Sequence, residues 1–344
     1  MKKILIINLG GLGDMLFSLP FLKGLRKKYP DAKITLLAVT NSYPVIENQN
    51  LVDEVVELPA TTGDIRGFRG FRYFGVLQAL RRERFDIAIN LRTIVTLFSG
   101  FKVALIMAVI GARKTAGRNS EGFGWFYNYG VSEGKRFGLS ELDYHSALAD
   151  KLGFKARGRP SIKLTKKEKK LAGEFFNLNK INPDERLILI NTESRRQSTR
   201  WPLNNFIKLI GLLSKIPGIR IGVIYHRDLE SVRRIKQKYK KVFFLDGIMR
   251  VAAVMSRSEL LISNDTGIIH IGAAVNIKTI GIYSSTAPSL TGPALPRNRK
   301  IIIYNNVKCS PCNKTECSSL ECLKKISVED VFKAAKKLVN PRAR

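Results

Sequence analysis

The chain has 344 residues, which is enough for two domains of ordinary size, each with its own hydrophobic core. Hydrophobic residues make up 44% of the sequence and no long low-complexity run interrupts them, which excludes an intrinsically disordered chain. The formal net charge of +31 favours polyanionic partners: nucleic acid, an anionic lipid surface or phosphorylated substrates.

The beginning of the chain alternates strands with a helix. Residues 3–8 form an Ile- and Leu-rich strand, residues 12–29 a helix with leucines at regular spacing, and residues 33–39 a second strand. Residues 53–58 and 85–91 supply further short strands. This alternation predicts an α/β domain built on a parallel sheet.

Two apolar stretches bear on the membrane question. The run after Met1 is short and has no small-residue cleavage site, so it does not form a secretory signal. The longest stretch, residues 94–110, is interrupted by Ser99, Gly100 and Lys102, whereas a membrane span needs about 20 uninterrupted apolar residues. We therefore expect residues 94–110 to form a buried helix, and we expect a cytoplasmic protein without a transmembrane anchor.

The turn after the first strand, residues 10–14, is rich in glycine. Gly11 and Gly13 fit the first two glycines of a dinucleotide-binding fingerprint, but the third position is Leu16 and no acidic residue ends the second strand. A P-loop sequence is also lacking. The turn presents Asp14 at the start of a helix, where it is either a first-turn acid stabilised by the helix dipole or a general base.

Two segments are unusually aromatic. Residues 63–84 combine six arginines with four aromatic residues, a mixture that suits a membrane interface, RNA, or simply an exposed basic loop and helix. Residues 120–136 contain five aromatic residues among glycines. This second segment is either an acceptor-binding loop or an irregular packed region.

The second half repeats the α/β pattern. Residues 156–163 are predicted to link two domains, and strands follow at residues 187–190, 220–225, 242–245, 260–263 and 279–283. Thr192 and three arginines, Arg195, Arg196 and Arg200, follow the first of these strands and are suited to clamp a phosphate. Glu230 lies in the first turn of a later helix, where it either accepts a bond from a ribose hydroxyl or only complements the helix dipole.

The strand at residues 260–263 runs into a polar corner that precedes a small-residue helix. Asn264 or Asp265 can cap this helix, which leaves the amides of Thr266, Gly267 and Ile268 open. Gly267 lets a ligand approach the backbone, and the helix dipole favours an anion at that position. The corner is therefore either a diphosphate-binding site or a well-capped helix.

All four cysteines lie in one C-terminal segment, Cys309-x2-Cys312-x4-Cys317-x4-Cys322. Four thiolates at such short spacing can form a tetrahedral structural zinc site, or they can remain reduced thiols. Ser327 then caps a final helix that ends near residue 338.

Three motifs and a cysteine tail occur in a fixed order. They are Gly11-Leu12-Gly13-Asp14 with Leu19-Pro20, then Arg200-Trp201-Pro202, then Ser263-Asn264-Asp265-Thr266-Gly267 with His270 and Gly272-Ala273-Ala274, and finally Cys309-Ser310-Pro311-Cys312. With these motifs the chain resembles glycosyltransferase family 9, the ADP-heptose:lipopolysaccharide heptosyltransferases, over nearly its whole length. The resemblance implies an α/β fold of GT-B architecture, two Rossmann-like domains facing each other across a cleft. Residues 1–157 would bind the acceptor, residues 158–326 would bind the nucleotide sugar, and residues 327–344 would form a C-terminal helix and tail.

The resemblance also implies an inverting, metal-independent glycosyl transfer. Asp14 matches the base that takes the proton from the acceptor hydroxyl, with Gly11 and Gly13 as acceptor-binding residues. We assign donor binding to Asp265, Thr266, Gly267, Arg200, Thr192, Glu230 and His270. The family usually has a Lys two residues before the Trp, where this chain has Thr199. The phosphate contact would then pass to Arg200, Arg196 or Arg195.

The predicted substrates are a nucleotide-diphosphate sugar, ADP-heptose in the resembling family, and a lipopolysaccharide core or similar lipid-linked glycan. The basic surface would hold the enzyme peripherally on the anionic inner face of the cytoplasmic membrane. We expect no cofactor for catalysis, and we expect activity to survive a chelator because the tail cysteines are remote from the chemistry. One alternative is another nucleotide sugar with another glycan acceptor. The other, a basic nucleic-acid-binding protein, would not need the Asp14 and Asp265 corners, so no nucleic-acid partner is expected.

Overall fold

A computed structural model describes residues 1–40, 42–58, 69–94, 96–132, 140–226 and 228–339, with only the backbone of residues 69–73. The chain forms two compact units, Met1–Pro160 and Ser161–Arg344. Each unit is an α/β domain with a six-stranded sheet. Within the ranges described, no helix is both long enough and apolar enough to cross a bilayer.

The first unit alternates strands and helices from its beginning. Its strands are β1 (Lys3–Asn8), β2 (Lys33–Val39), β3 (Glu54–Leu58), β4 (Ile87–Asn90), β5 (Lys114–Asn119) and β6 (Tyr129–Ser132). Its helices are α1 (Leu12–Lys28), α2 (Pro44–Glu47), α3 (Arg69–Arg82), α4 (Leu97–Ile110) and α5 (Glu141–Lys151). All neighbouring strands are parallel, in the order β3-β2-β1-β4-β5-β6. This is the strand order of a Rossmann-type domain.

The second unit has the same topology. Its strands are β7 (Arg186–Asn191), β8 (Ile219–Ile224), β9 (Val242–Leu245), β10 (Leu260–Asn264), β11 (Lys278–Tyr283) and β12 (Lys300–Tyr304). Its helices are α6 (Lys166–Leu178), α7 (Leu203–Leu213), α8 (Leu229–Lys238), α9 (Ile248–Met255), α10 (Gly267–Ala274), α11 (Pro288–Thr291), α12 (Glu321–Lys324) and α13 (Val328–Leu338). The strands are again parallel, in the order β12-β11-β10-β7-β8-β9. Strand order therefore reverses between β1 and β4 in one sheet and between β7 and β10 in the other.

The core of the second unit includes the C-terminal helix. Trp201 is fully buried beside Phe206, and its indole Nε1 donates to the carbonyl oxygen of Ile326 at 3.1 Å. Val331 and Ala335 of α13 are buried in the same cluster. Ser327 caps α13 by accepting a bond from the amide of Asp330, and the Asp330 side chain in turn accepts from the amide of Ser327, forming a capping box. The last helix is thus packed into the second domain.

The stretch at residues 94–110 differs from its prediction. It forms helix α4, but the helix is buried only at Gly100, Met107 and Ile110 and exposes several large apolar side chains. The prediction of a buried helix is therefore wrong, because apolar composition alone does not say which side of a helix the neighbouring elements cover. Residues 63–68 and 133–136 of the two aromatic segments lie outside the described residues.

Candidate active site

The loops after β1 and β4 meet at the carboxyl edge of the first sheet, at its topological switch point, where open α/β sheets bind ligands. Asp14 lies in the first turn of α1, and its Oδ2 accepts a bond from the amide of Gly11 at 2.8 Å. Arg92, which follows β4, places its Nη1 2.6 Å from the same Oδ2. Side-chain exposures of 36% for Asp14 and 40% for Arg92 leave the pair open to a ligand. No described residue bonds Oδ1, so this oxygen is available to a substrate proton.

Two strand-terminal asparagines fix these loops. The buried amide of Asn8 donates to the carbonyl of Asp14 at 3.2 Å, and its Oδ1 accepts from the amide of Gly10 at 3.2 Å. The buried side chain of Asn90 similarly bonds both the amide and the carbonyl of Arg92, at 3.1 and 3.0 Å. The backbone that carries the carboxylate and the guanidinium is therefore held from beneath by buried hydrogen bonds.

The glycines of the first motif have distinct roles. A Cβ built on Gly10 would lie 2.5 Å from the Cβ of Asp14, so only glycine permits this carboxylate to fold back over the turn. Gly11 is the N-cap of α1, and its amide donates a hydrogen bond to the side chain of Asp14. Gly13 lies within the first turn of α1 and is half-buried. Gly11 thus contacts the predicted base directly, whereas Gly10, which sequence reasoning did not single out, makes room for it.

His145 of α5 is a further support of this site that the motifs did not reveal. Its ring is buried, with Nδ1 3.0 Å from the carbonyl oxygen of Phe17 in α1 and Nε2 3.2 Å from that of Leu91. The imidazole therefore joins the helix that carries Asp14 to the residue preceding Arg92.

The second unit has a corresponding site at its own switch point, where the loops after β7 and β10 meet. The amide group of Asn191, at the end of β7, donates to the hydroxyls of Ser263 and Thr266 at 3.0 and 3.2 Å. Asn264, at the end of β10, accepts from the amide of Trp201 at 3.0 Å and donates to the carbonyl of Thr192 at 3.0 Å. The two loops are thereby bonded to each other through buried asparagine side chains.

These bonds correct the predicted cap of α10. The N-cap residue is Thr266, and its side chain makes no capping bond. The side chain of Asn264 bonds the backbone of Trp201 and Thr192 instead. No side-chain cap therefore occupies the amino end of α10, which begins at Gly267. An uncapped amino terminus at a switch point is an arrangement suited to an anionic ligand.

Asp265 is the half-buried carboxylate of this corner. The hydroxyl of Thr286, in the loop after β11, donates to its Oδ2 at 2.5 Å. Burial raises the pKa of Asp265, while the bond from Thr286 and the positive charge of Arg196 act in the opposite direction. Arg196 is exposed. An exposed guanidinium thus lies within electrostatic reach of the carboxylate beside the open helix terminus.

Two residues of the arginine loop, which we define as Thr192–Arg200, bond within the loop itself. Nε and Nη2 of Arg200 both donate to the carbonyl of Ser194, at 3.1 and 2.6 Å. Thr199, at the position where the resembling family has lysine, is buried with its hydroxyl 2.6 Å from that of Ser194. The hydroxyl of Thr192 is buried and finds no partner among the described residues. Of the predicted cations, Arg200 therefore stabilises the loop, and Arg196 lies near Asp265.

Two predicted donor-binding side chains have other surroundings. Glu230 is exposed on α8, where its Oε2 pairs with Nη2 of Arg233 at 2.6 Å. His270 is buried in α10. A different carboxylate, that of Glu193, bonds the backbone at this edge of the sheet. Its Oε1 accepts hydrogen bonds from the amides of His226 and Asp228 at 2.7 and 3.0 Å. Its position two residues after the end of β7 was the available sequence signal.

The cysteine segment, Cys309–Cys322, is not remote from this site, contrary to its prediction. The side-chain amide of Gln197 and the backbone of Cys317 exchange two bonds, at 2.9 and 3.3 Å. The amide of Ser198 donates to the carbonyl of Thr315 at 3.1 Å. The amide of Cys312 donates to the carbonyl of Ser285, next to Thr286, at 3.0 Å. The segment therefore supports both the arginine loop and the loop that contacts Asp265.

The structure does not support a zinc site at the four cysteines. In the part of the chain that is described, no three His, Cys, Asp or Glu side chains are grouped so that they could hold a metal ion. Cys322 is buried in the apolar core of the second unit, and that burial raises the pKa of its thiol, whereas Cys309 is exposed. The short spacing allowed a four-thiolate site, but the thiols differ in burial.

Two Rossmann-like domains in one chain, each a parallel six-stranded sheet with helices, are the architecture of the GT-B fold class. Structures of this class resemble the chain along its whole length. The glycosyl transferase family 9 protein from Veillonella parvula superposes with a TM-score of 0.78 at 23% identity, covering 98% of this chain and 97% of that one. The ADP-heptose lipopolysaccharide heptosyltransferase II of Escherichia coli gives a TM-score of 0.75 at 19% identity, covering 98% of each chain.

The chain belongs to glycosyltransferase family 9 (heptosyltransferase), whose family model matches residues 74–323. Among curated relatives, the lipopolysaccharide core heptosyltransferase OpsX of Haemophilus influenzae is 21% identical over 359 residues, covering 98% of this chain and 97% of the relative. The predicted family and fold class are thus confirmed.

Proposed function

We propose that this glycosyltransferase moves a heptose from ADP-heptose to a sugar hydroxyl of a lipopolysaccharide core. Support for the donor and acceptor comes from the relatives, whose names specify ADP-heptose and the lipopolysaccharide core. The observation that carries the reaction is the carboxylate of Asp14, which is held at the switch point of the first sheet with Oδ1 unoccupied by described residues.

Asp14 is the general base in this proposal. Its Oδ2 is fixed by the amide of Gly11 and the guanidinium of Arg92, which leaves Oδ1 to accept the proton of the acceptor hydroxyl. Arg92 is a positioning residue for that carboxylate and also offers a positive charge to an anionic acceptor. Gly11 and Gly13 keep the turn small enough for a sugar to approach.

The donor diphosphate is assigned to the second unit. The amides at the uncapped terminus of α10, Thr266 and Gly267 among them, would bind its oxygens together with Arg196, the exposed cation near Asp265. Asp265 would contact the donor sugar. We retain Thr192, Arg200, Glu230 and His270 as donor-side candidates with weaker support, since Arg200 bonds its own loop and Glu230 pairs with Arg233.

The proposed step is a single displacement. The acceptor oxygen forms a bond to the anomeric carbon while the bond from that carbon to the diphosphate oxygen breaks, and ADP leaves with the electron pair. The proton of the acceptor hydroxyl passes to Asp14. Attack opposite the leaving group inverts the anomeric configuration. Charge that grows on the diphosphate is stabilised by helix amides and a guanidinium, so the proposal includes no divalent metal.

An acceptor anchored in a membrane would explain the charge of the protein. A net charge of +31 attracts the chain to an anionic lipid surface, and a lipid-linked acceptor would be reached there. We therefore propose peripheral association with the cytoplasmic face of the inner membrane. Transfer of another nucleotide sugar by the same residues is the main alternative.

The test of the proposal is the variant Asp14→Asn, assayed with ADP-heptose and a purified lipopolysaccharide core acceptor. We expect turnover to fall at least about a thousandfold, while ADP binding measured by calorimetry changes no more than about threefold. A variant that turns over at the wild-type rate would remove Asp14 from the mechanism. Wild-type protein that transfers another sugar, but not heptose, would establish the alternative donor.

A further inference from the structure

We propose that the exposed apolar face of helix α4 is the surface by which this protein docks onto an anionic phospholipid bilayer. Leu97, Phe98, Phe101 and Leu105 keep 54, 69, 56 and 65% of their surface exposed. This docking surface deepens the proposed function. It rests on that function in one respect only, because transfer to a lipid-linked acceptor would give the protein a reason to bind a membrane.

The four side chains form one continuous surface. At about 100° per residue, they fall together with Ala108 and Lys102 within an arc of roughly 140° around the helix. The side of the helix packed on the domain is formed by Gly100, Met107 and Ile110, which are buried. Single exposed apolar residues are common on proteins, but a contiguous group of large ones marks an interaction site.

The charge on α4 and its neighbouring helix is positive. The one charged residue of α4 is Lys102, whose Nζ lies 4.4 Å from the centre of the Phe98 ring. Helix α3 packs beside α4, and Nη1 of Arg81 donates to the carbonyl of Val109 at 3.0 Å. Rings at headgroup level with cations beside them are the composition of an interfacial membrane surface.

Few acidic groups oppose this charge. Between residues 69 and 114 nine residues are Lys or Arg and two are acidic. Both acids are already paired: Glu83 with Lys3 and Lys33, and Asp86 with Arg113. The segment that carries α3 and α4 therefore has a net positive charge, and Lys102 and Arg81 place part of it on and beside α4.

This charge selects the occupant. A second copy of the chain seated on the same face would bring two segments of net positive charge together, which is unfavourable. An anionic bilayer offers acyl chains to the rings and leucines and phosphates to the cations. The face also begins near the candidate site, because α4 starts five residues after Arg92. A docked α4 would hold the acceptor-binding edge of the first domain close to the membrane.

The test compares two double variants in a vesicle-flotation assay. Phe101→Glu with Leu105→Glu alters the α4 face, and Leu178→Glu with Leu229→Glu alters two apolar residues of the second unit that are at least as exposed. The probes are phosphatidylcholine vesicles with and without phosphatidylglycerol. With phosphatidylglycerol present, we expect the α4 variant to bind at least about tenfold more weakly than wild type, and the control variant to bind within about twofold of it. Thermal melting of each variant verifies that it is folded.

Other outcomes would overturn the inference. They are wild-type protein that does not bind the anionic vesicles, an equal loss in both double variants, or a wild-type dimer in sedimentation that the α4 variant dissociates. Turnover on a lipid-free acceptor fragment separates this inference from the proposed function. The α4 variant should keep that turnover within about twofold, because its substitutions lie outside the Asp14 site. A chain inactive on every acceptor would instead contradict the proposed function.

Discussion

Replacing Asp265 by asparagine should stabilise the protein while impairing its activity. Burial raises the pKa of this carboxyl above its ordinary value of 3.8, so the folded chain binds the proton more tightly than the unfolded chain does. The stability from that proton is fully present below the ordinary value and is lost as the pH rises through the folded-state pKa. Above the ordinary value this carboxyl therefore lowers the free energy of unfolding, because the desolvated site disfavours its charged form.

Each pKa unit of that elevation corresponds to about 1.4 kcal/mol once the pH exceeds both values. The substituted asparagine would lack the charge and could still accept the bond from Thr286, so Asp265→Asn should melt at least about 2 °C higher at pH 7.5. The difference from wild type should shrink as the pH is lowered through the folded-state pKa towards the ordinary value. Turnover should fall at least about a hundredfold, because a donor contact is lost.

Scanning calorimetry from pH 5 to 8 measures this effect, and Asp228→Asn provides a control of opposite sign. Burial also acts on Asp228, but bonds from Ser231 and the charge of Arg200 outweigh it and lower its pKa. Its contribution to stability is present above the ordinary pKa and is lost as the pH falls. Asp228→Asn should therefore melt lower at neutral pH. A lower melting temperature for Asp265→Asn, or a difference independent of pH, would refute the reasoning.

Three further predictions concern the site. Arg196→Ala should raise the Kd for ADP, measured by calorimetry, at least about tenfold, because a charge-assisted hydrogen bond to the diphosphate is lost. The control Arg195→Ala should change that Kd less than about threefold, and equal effects of the two substitutions would remove the assignment to Arg196. Arg92→Gln should lower kcat about tenfold and leave the affinity for ADP unchanged. It should lower the free energy of unfolding in urea by less than about 1 kcal/mol, because the ion pair of Arg92 with Asp14 is exposed. An unaltered kcat would mean that Asp14 needs no positioning by Arg92. Transfer should proceed at the same rate in excess chelator, and a loss restored by a divalent ion would show that the diphosphate requires a metal.

The sequence predicts several strands whose own residues favour a buried strand without reference to distant neighbours. Strands β1, β2 and β9 are dense in aliphatic or aromatic residues, and the structure has them at residues 3–8, 33–39 and 242–245, as predicted. Strands β5 (Lys114–Asn119) and β6 (Tyr129–Ser132) escaped prediction, because they consist largely of polar residues and glycine. Their pairing at the edge of a sheet depends on neighbours distant in sequence. Strand β12 (Lys300–Tyr304) was also not predicted, although it contains three consecutive isoleucines.

The same distinction applies to the site. The Asp14 turn and the Asp265 corner are contiguous motifs and could be located from the sequence. Arg92 could not be assigned to Asp14, because their proximity depends on β1 and β4 being neighbours in the sheet. The support of the arginine loop by the cysteine segment was missed for a similar reason, since Gln197 and Cys317 are 120 residues apart in the chain.

Because of that support, the thiols can report on the arginine loop. No cysteine precedes Cys309, so a thiol reagent modifies only the segment bonded to the loop. Bonds from the backbone of Leu320 and from Ser319 lower the pKa of the Cys317 thiol, which favours its reactive thiolate form at mild pH. A fluorophore attached there would sit next to Gln197, and its emission could follow nucleotide arrival without any engineered cysteine.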